Sequence, residues 1–117
     1  MEISSRITHF QTKLDAEWGP YDLENNRKSK NVTILDVRDR DGYSSEHIPG
    51  SINIPLAEIE KRMAEIPKDK TIVTYCWNIT CHAAPKAALI LAKAGYDVKE
   101  LVGGIEEWKK LDISVEK

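Results

Sequence analysis

The chain has 117 residues and a formal net charge of −2, with 31% charged and 41% hydrophobic residues. That length suits one domain, residues 1–117, with a core that needs no disulfide staples. The balance argues against a general nucleic-acid footprint, and no apolar run approaches the roughly 18 residues of a membrane helix.

Met1-Glu-Ile-Ser-Ser-Arg6 lacks the basic and apolar regions of a secretory leader, which predicts a cytoplasmic protein. Residues 3–17 carry apolar side chains at Ile3, Ile7, Phe10 and Leu14, the spacing of a helix with one apolar face. Trp18-Gly19-Pro20 breaks it, so residues 1–20 read as a helical extension ahead of a core spanning 22–111. Asp22 is placed to cap a short polar helix running to about Arg27. Val32-Thr33-Ile34-Leu35-Asp36-Val37 is a buried strand. Asp39 to Tyr43 forms a turn or short helical loop, and His47-Ile48-Pro49-Gly50 a tight turn. Ser51 to Ile54 alternates as a short strand. Leu56 to about Ile66 looks helical, with Leu56, Ile59 and Met63 on one face.

Ile72-Val73-Thr74-Tyr75 is short and β-branched, as a central parallel strand would be. It leads into the loop Cys76-Trp77-Asn78-Ile79-Thr80-Cys81-His82 and an Ala-rich helix from Ala83. Pro85 sits in that helix's first turn, and Gly95 is placed to end it in the left-handed conformation. Tyr96 to Leu101 is a final strand. Gly103-Gly104 follows, a breaker pair that allows the backbone to approach the active-site loop closely, then a short amphipathic helix, Ile105 to Leu111, with Trp108 facing inward. Strands alternating with helices predict an α/β fold with a mainly parallel sheet, whose active crevice lies at the strands' carboxyl ends. Cys76 and Asp36 both arrive there. A thiol between a strand end and a helix N-terminus has a lowered pKa and acts as a nucleophile. Two cysteines so close together, in a reducing compartment, are catalytic, redox-active or metal-binding.

Leu35-Asp36-Val37-Arg38, Tyr43, His47 through Pro55, Val73-Thr74-Tyr75-Cys76 and Gly103 through Trp108 together resemble a single-domain rhodanese, a sulfurtransferase family. The resemblance implies a three-layer fold, a five-stranded, mainly parallel sheet flanked by helices. It also implies that Cys76 carries sulfane sulfur as a persulfide. The donor would be thiosulfate or a low-molecular-weight persulfide, and the acceptor cyanide, a thiol or a protein, with no cofactor. Related dual-specificity phosphatases have a longer loop ending in a phosphate-binding Arg, and this loop has neither feature. Its Cys-Trp-x-x-x-Cys pattern resembles one rhodanese subgroup. Ile79, Cys81 and His82 stand where many members have Gly, Arg or Ser, and Ser or Thr. The missing loop cation puts thiosulfate in question as the preferred donor.

Several residues around Cys76 admit two readings. Cys81 is either a resolving cysteine that attacks the Cys76 persulfide or a small buried hydrophobe. His82 either donates to sulfur or starts the helix. Lys86, one turn in, either replaces the missing cation or is solvated. Trp77 is packing or a pocket wall. Asp36, Arg38 and His47 read as supports. An Arg38–Glu46 ion pair would tie the His47 turn to the strand, and Asp36 would accept backbone N–H groups. Cys76, Cys81 and His82 do not read as a metal site. Two further functions compete with sulfur transfer: a thiol-redox or reductase role for a Cys76–Cys81 pair, and a non-catalytic binding module. Oligomeric state is not legible.

Overall fold

The computed structural model describes residues 2–117. In chain order it contains α1 (Ile3–Ala16), β1 (Glu17–Trp18), α2 (Pro20–Asn26), β2 (Val32–Asp36), α3 (Arg40–Ser45), β3 (Ile52–Asn53), β4 (Thr71–Tyr75), α4 (Ala83–Lys93), β5 (Asp97–Leu101) and α5 (Gly104–Lys110). The five strands form one parallel sheet in the order β1-β5-β4-β2-β3, so β4 is central. Helices cover both faces, the three-layer arrangement expected from strands alternating with helices. Alternation along β2 and β4 sends successive apolar side chains into opposite layers. Leu35 and Ile72 join one core with Ile59 and Leu91, while Ile34, Val73 and Tyr75 join the other with Leu23, Ile105 and Trp108.

The helix ends follow local chemistry. Asp39 caps α3, its side chain accepting the Gly42 N–H at 2.9 Å. Helix α4 stops at Gly95, whose φ of +90° is in the left-handed region. The Gly95 N–H donates to Ala92 O at 3.0 Å and the Tyr96 N–H to Leu91 O at 3.0 Å, so the last carbonyls are satisfied.

Three expectations change. Asp22 does not cap α2. Pro20 presets the first helical residue, the cap falls on Gly19, and Asp22 instead accepts the Gly19 N–H at 3.0 Å from within the first turn. Leu56 to Ile66 is not one helix but two 3₁₀ turns, Leu56–Glu58 and Met63–Glu65. The second turn ends where Ile66 becomes extended, and its carbonyl accepts the Tyr96 hydroxyl at 2.9 Å, with Met63 O 3.2 Å from the same hydroxyl. Glu17–Trp18, read as helix end and breaker, adds an edge strand beside β5. The apolar face of α1 is solvent-exposed: the helix has no buried residue, and Ile3 and Leu14 are each 79% exposed.

Candidate active site

The central strand β4 delivers Cys76 to the carboxyl edge of the sheet, where it is 4% exposed. Its sulfur is bonded to that of Cys81, across a Cα–Cα distance of 6.3 Å. Asn78 organises the loop between them. Its carbonyl accepts the Cys81 N–H at 3.1 Å, and its side-chain oxygen accepts the Thr80 N–H at 3.1 Å and the Thr80 hydroxyl at 2.7 Å. Two of the loop's amides are therefore used within the loop. His82 occupies the N-cap of α4, exposed and without a side-chain capping bond. Lys86 is exposed on the same helix.

The start of α5 fixes the loop from outside. The Ile105 N–H donates to Cys76 O at 3.0 Å and the Glu106 N–H to Trp77 O at 2.9 Å. This approach needs glycine at 104. Its φ is +61°, and a Cβ there would lie 2.5 Å from the Cys76 carbonyl oxygen and 2.8 Å from the Trp77 carbonyl carbon. Gly104→Ala is expected to cost roughly 2–3 kcal/mol through the positive φ and the backbone clash. Urea unfolding checks the loss. Alkylation of reduced Cys76, faster than in the wild type, checks that the loop has moved.

A cavity of about 140 Å³ opens beside the two sulfurs. Asn78, Ile79, Gly103 and Gly104 line it, and so do Lys13, Glu17 and Glu100. The sequence reading missed these last three. No local signal marks them, because they meet only when the two-residue strand β1 pairs with β5, setting Glu17 opposite Glu100. Trp77 and Lys86 do not line this cavity. The Trp77 ring, 46% exposed, stacks over the Arg38 guanidinium at 4.4 Å. It also presses on Gly42, where an added Cβ would meet Cζ2 at 2.8 Å.

Asp36 and Arg38 form a fully buried pair at the end of β2, with contacts from Arg38 Nη2 at 2.7 Å and Nε at 3.0 Å. The expected Arg38–Glu46 ion pair is absent. Arg38 Nη2 instead donates to the Glu46 backbone carbonyl at 2.6 Å, because the nearer Asp36 carboxylate takes its charge. The Glu46 side chain reaches Lys109. That contact holds the Glu46 carboxyl below its usual range. Asp36 accepts one backbone N–H, that of Arg38 at 2.9 Å, and the Tyr75 hydroxyl at 2.7 Å. Burial beside Asp36 pushes the Tyr75 phenol well above its ordinary value, so it stays a donor. The His47 ring stacks on Tyr43 with centroids 3.8 Å apart, and its Nδ1–H donates to Tyr43 O at 2.9 Å. It holds the turn. Among the described residues no three His, Cys, Asp or Glu side chains cluster as a metal site would.

A family model described as a rhodanese-like domain matches residues 19–111. The HTH-type transcriptional regulator Rv0324 of Mycobacterium tuberculosis is 42% identical over 95 residues, 81% of this chain. The chain spans only 42% of that protein's length. Thiosulfate sulfurtransferase GlpE of Coxiella burnetii is 31% identical over 83 residues, 70% of this chain and 76% of that protein. Among solved structures, the BH2092 protein of Bacillus halodurans superposes with a TM-score of 0.90 at 39% identity, covering 98% of this chain and 86% of that one.

Proposed function

Since the chain belongs to the rhodanese-like domain family, we propose that it is a sulfurtransferase whose active-site residue, Cys76, carries sulfane sulfur as a persulfide. The observation that carries this reading is Cys76 at the carboxyl end of the central strand, facing a cavity, with a second sulfur in bonding contact. Similarity to thiosulfate sulfurtransferases of Coxiella burnetii and Escherichia coli supports the same chemistry. The Cys-Trp-x-x-x-Cys loop is taken as the mark of a subgroup within the family.

In the first step the Cys76 thiolate attacks the outer sulfur of a donor persulfide or thiosulfate. The donor's S–S bond breaks, and a thiolate or sulfite leaves. An acceptor thiolate or cyanide then takes that sulfur and restores the Cys76 thiolate. Cys81 offers a second exit: its thiolate attacks the Cys76 sulfur, the Cys76–sulfane bond breaks, hydrosulfide leaves, and the Cys76–Cys81 disulfide forms. Two equivalents of a small thiol reduce that disulfide, which suits a cytoplasmic setting. The disulfide also favours a second reading, a thiol-redox role in which the pair cycles without carrying sulfur.

Intact-mass measurement separates these readings. The reduced protein is incubated with a persulfide donor. The wild type is expected to gain one sulfur atom and then lose it as the disulfide forms. In Cys81→Ser that exit is closed, and the adduct is expected to persist at least about tenfold longer. If neither protein gains sulfur and peroxide alone yields the disulfide, the redox reading replaces this one.

A further inference from the structure

The loop between Cys76 and Cys81 contains no lysine or arginine. The charges that line the cavity come from elsewhere. Glu17 and Glu100 are direct neighbours across β1 and β5, and Glu100 is the neighbour of Thr74 across β5 and β4. Side chains at those three positions share one face of the sheet. The Thr74 hydroxyl donates to Ala84 O at 3.1 Å, which identifies that face as the one under α4. Cys76, two residues beyond Thr74, opens onto the same cavity as both glutamates. Lys13, one helical turn before Glu17, places its Nζ 2.9 and 3.0 Å from the two Glu17 carboxylate oxygens.

This leaves the wall with one carboxylate too many. Glu17 is matched by Lys13, while among the described residues no donor hydrogen-bonds the Glu100 carboxyl. Burial, then Glu17, pushes Glu100 above the usual carboxylate range, and Lys13 pulls it back. A dianion entering here meets net repulsion. A ligand with an ammonium group supplies the missing partner for Glu100, and a ligand carboxylate can meet Lys13. Lys13 and Glu17 also precede residues 19–111, the segment matched by the family model. Two of the three charged residues, Lys13 and Glu17, therefore come from the segment ahead of that match, and Glu100 comes from β5 within it.

We propose that Lys13, Glu17 and Glu100 make the Cys76 cavity selective for sulfur carried on an aminothiol, such as cysteine persulfide, over small anionic donors such as thiosulfate. The assignment rests on the sulfurtransfer reading. The transfer itself is the balanced step above: the Cys76 thiolate takes the outer sulfur, and the aminothiol leaves as its thiolate.

Two measurements test it, the first needing no sulfur transfer. In the Cys81→Ser protein, Cys76 is modified with aminoethyl and sulfonatoethyl methanethiosulfonate, each rate normalised to a short unstructured cysteine peptide. The cationic reagent is expected to lead by about tenfold. Glu100→Gln should bring the ratio toward one, and Lys13→Ala should raise it. The opposite signs distinguish charge from altered folding. A normalised ratio of one or less, or variants that leave it unmoved, overturns the proposal. The second measurement compares loading of Cys76 by cysteine persulfide and by N-acetylcysteine persulfide, which differ in the ammonium group. A preference of about tenfold for the free amine, lost in Glu100→Gln, is expected; equal loading overturns the proposal. If the charge ratio holds and no donor loads sulfur, the sulfurtransfer reading fails instead, and the charged wall stands.

Discussion

Cys76→Ser is expected to lower sulfur transfer by at least about a thousandfold while leaving the fold in place. A serine hydroxyl is un-ionised near neutral pH, so the attacking anion disappears. Its oxygen also cannot hold sulfane sulfur in a stable, exchangeable bond, so the intermediate has no carrier. Removing the thiol also removes the Cys76–Cys81 disulfide, and the Cys81→Ser variant separates the two consequences. Both variants lack the disulfide, but only Cys76→Ser should fail to gain a sulfur atom. Cys76 is 4% exposed. The buried hydroxyl is therefore expected to cost roughly 1–2 kcal/mol, far short of unfolding the domain. The checks are the transfer rate with a persulfide donor and a thermal melt of each protein. A Cys76→Ser variant that still transfers sulfur at a comparable rate would move the chemistry to Cys81.

What the sequence announced and what it hid divide along physical lines. Strand β4 was legible because Ile72, Val73 and Tyr75 are fully buried on both faces of a parallel sheet, and such strands read as continuous apolar runs. The end of α4 was legible because only glycine takes a φ of +90° cheaply. Gly104 was legible for a related reason: the chain can approach the loop carbonyls only without a side chain. The cavity's charged wall was not legible. Glu17 looks like the end of an amphipathic helix, and a two-residue strand has no period to detect. Its pairing with Glu100 is a long-range event that no window of sequence records. The Arg38–Glu46 expectation failed for a different reason. The positions were rightly judged close, but the atom was wrong. Asp36, two residues from Arg38, takes the guanidinium's charge at 2.7 Å and leaves only the Glu46 carbonyl to be reached. Trp77 stayed open between packing and pocket wall, since a position next to the nucleophile does not decide which side of the loop the ring takes.

Asp36→Ala is expected to lower the free energy of unfolding by roughly 3–5 kcal/mol, because it strands a buried guanidinium. Asp36 is fully buried, and Arg38 is 3% exposed. Arg38 lies between the Tyr75 ring, 5.6 Å away, and the Trp77 ring, 4.4 Å away, and its Nη1 already has no hydrogen-bond partner. Removing the carboxylate leaves the charge with aromatic faces and one backbone carbonyl. Asp36→Asn keeps the shape and one acceptor, and should cost less. The double variant Asp36→Ala with Arg38→Met removes both charges, and should recover part of the loss, since it is the unpaired ion that is expensive. Urea unfolding of the wild type, the two Asp36 variants, Arg38→Met and the double variant measures these differences and closes the cycle. A loss below about 1 kcal/mol for Asp36→Ala would show that water reaches the guanidinium and that the pair is not a support. The consequence for the site runs through Tyr75. Its hydroxyl donates to Asp36 at 2.7 Å and accepts the Ile48 N–H at 3.1 Å, linking the His47–Gly50 turn to the residue before Cys76. Loss of that link should loosen the end of β4, so reduced Cys76 is expected to alkylate faster in Asp36→Ala under native conditions. A large stability loss with an unchanged alkylation rate would confine Asp36 to holding the fold and remove it from positioning the thiol.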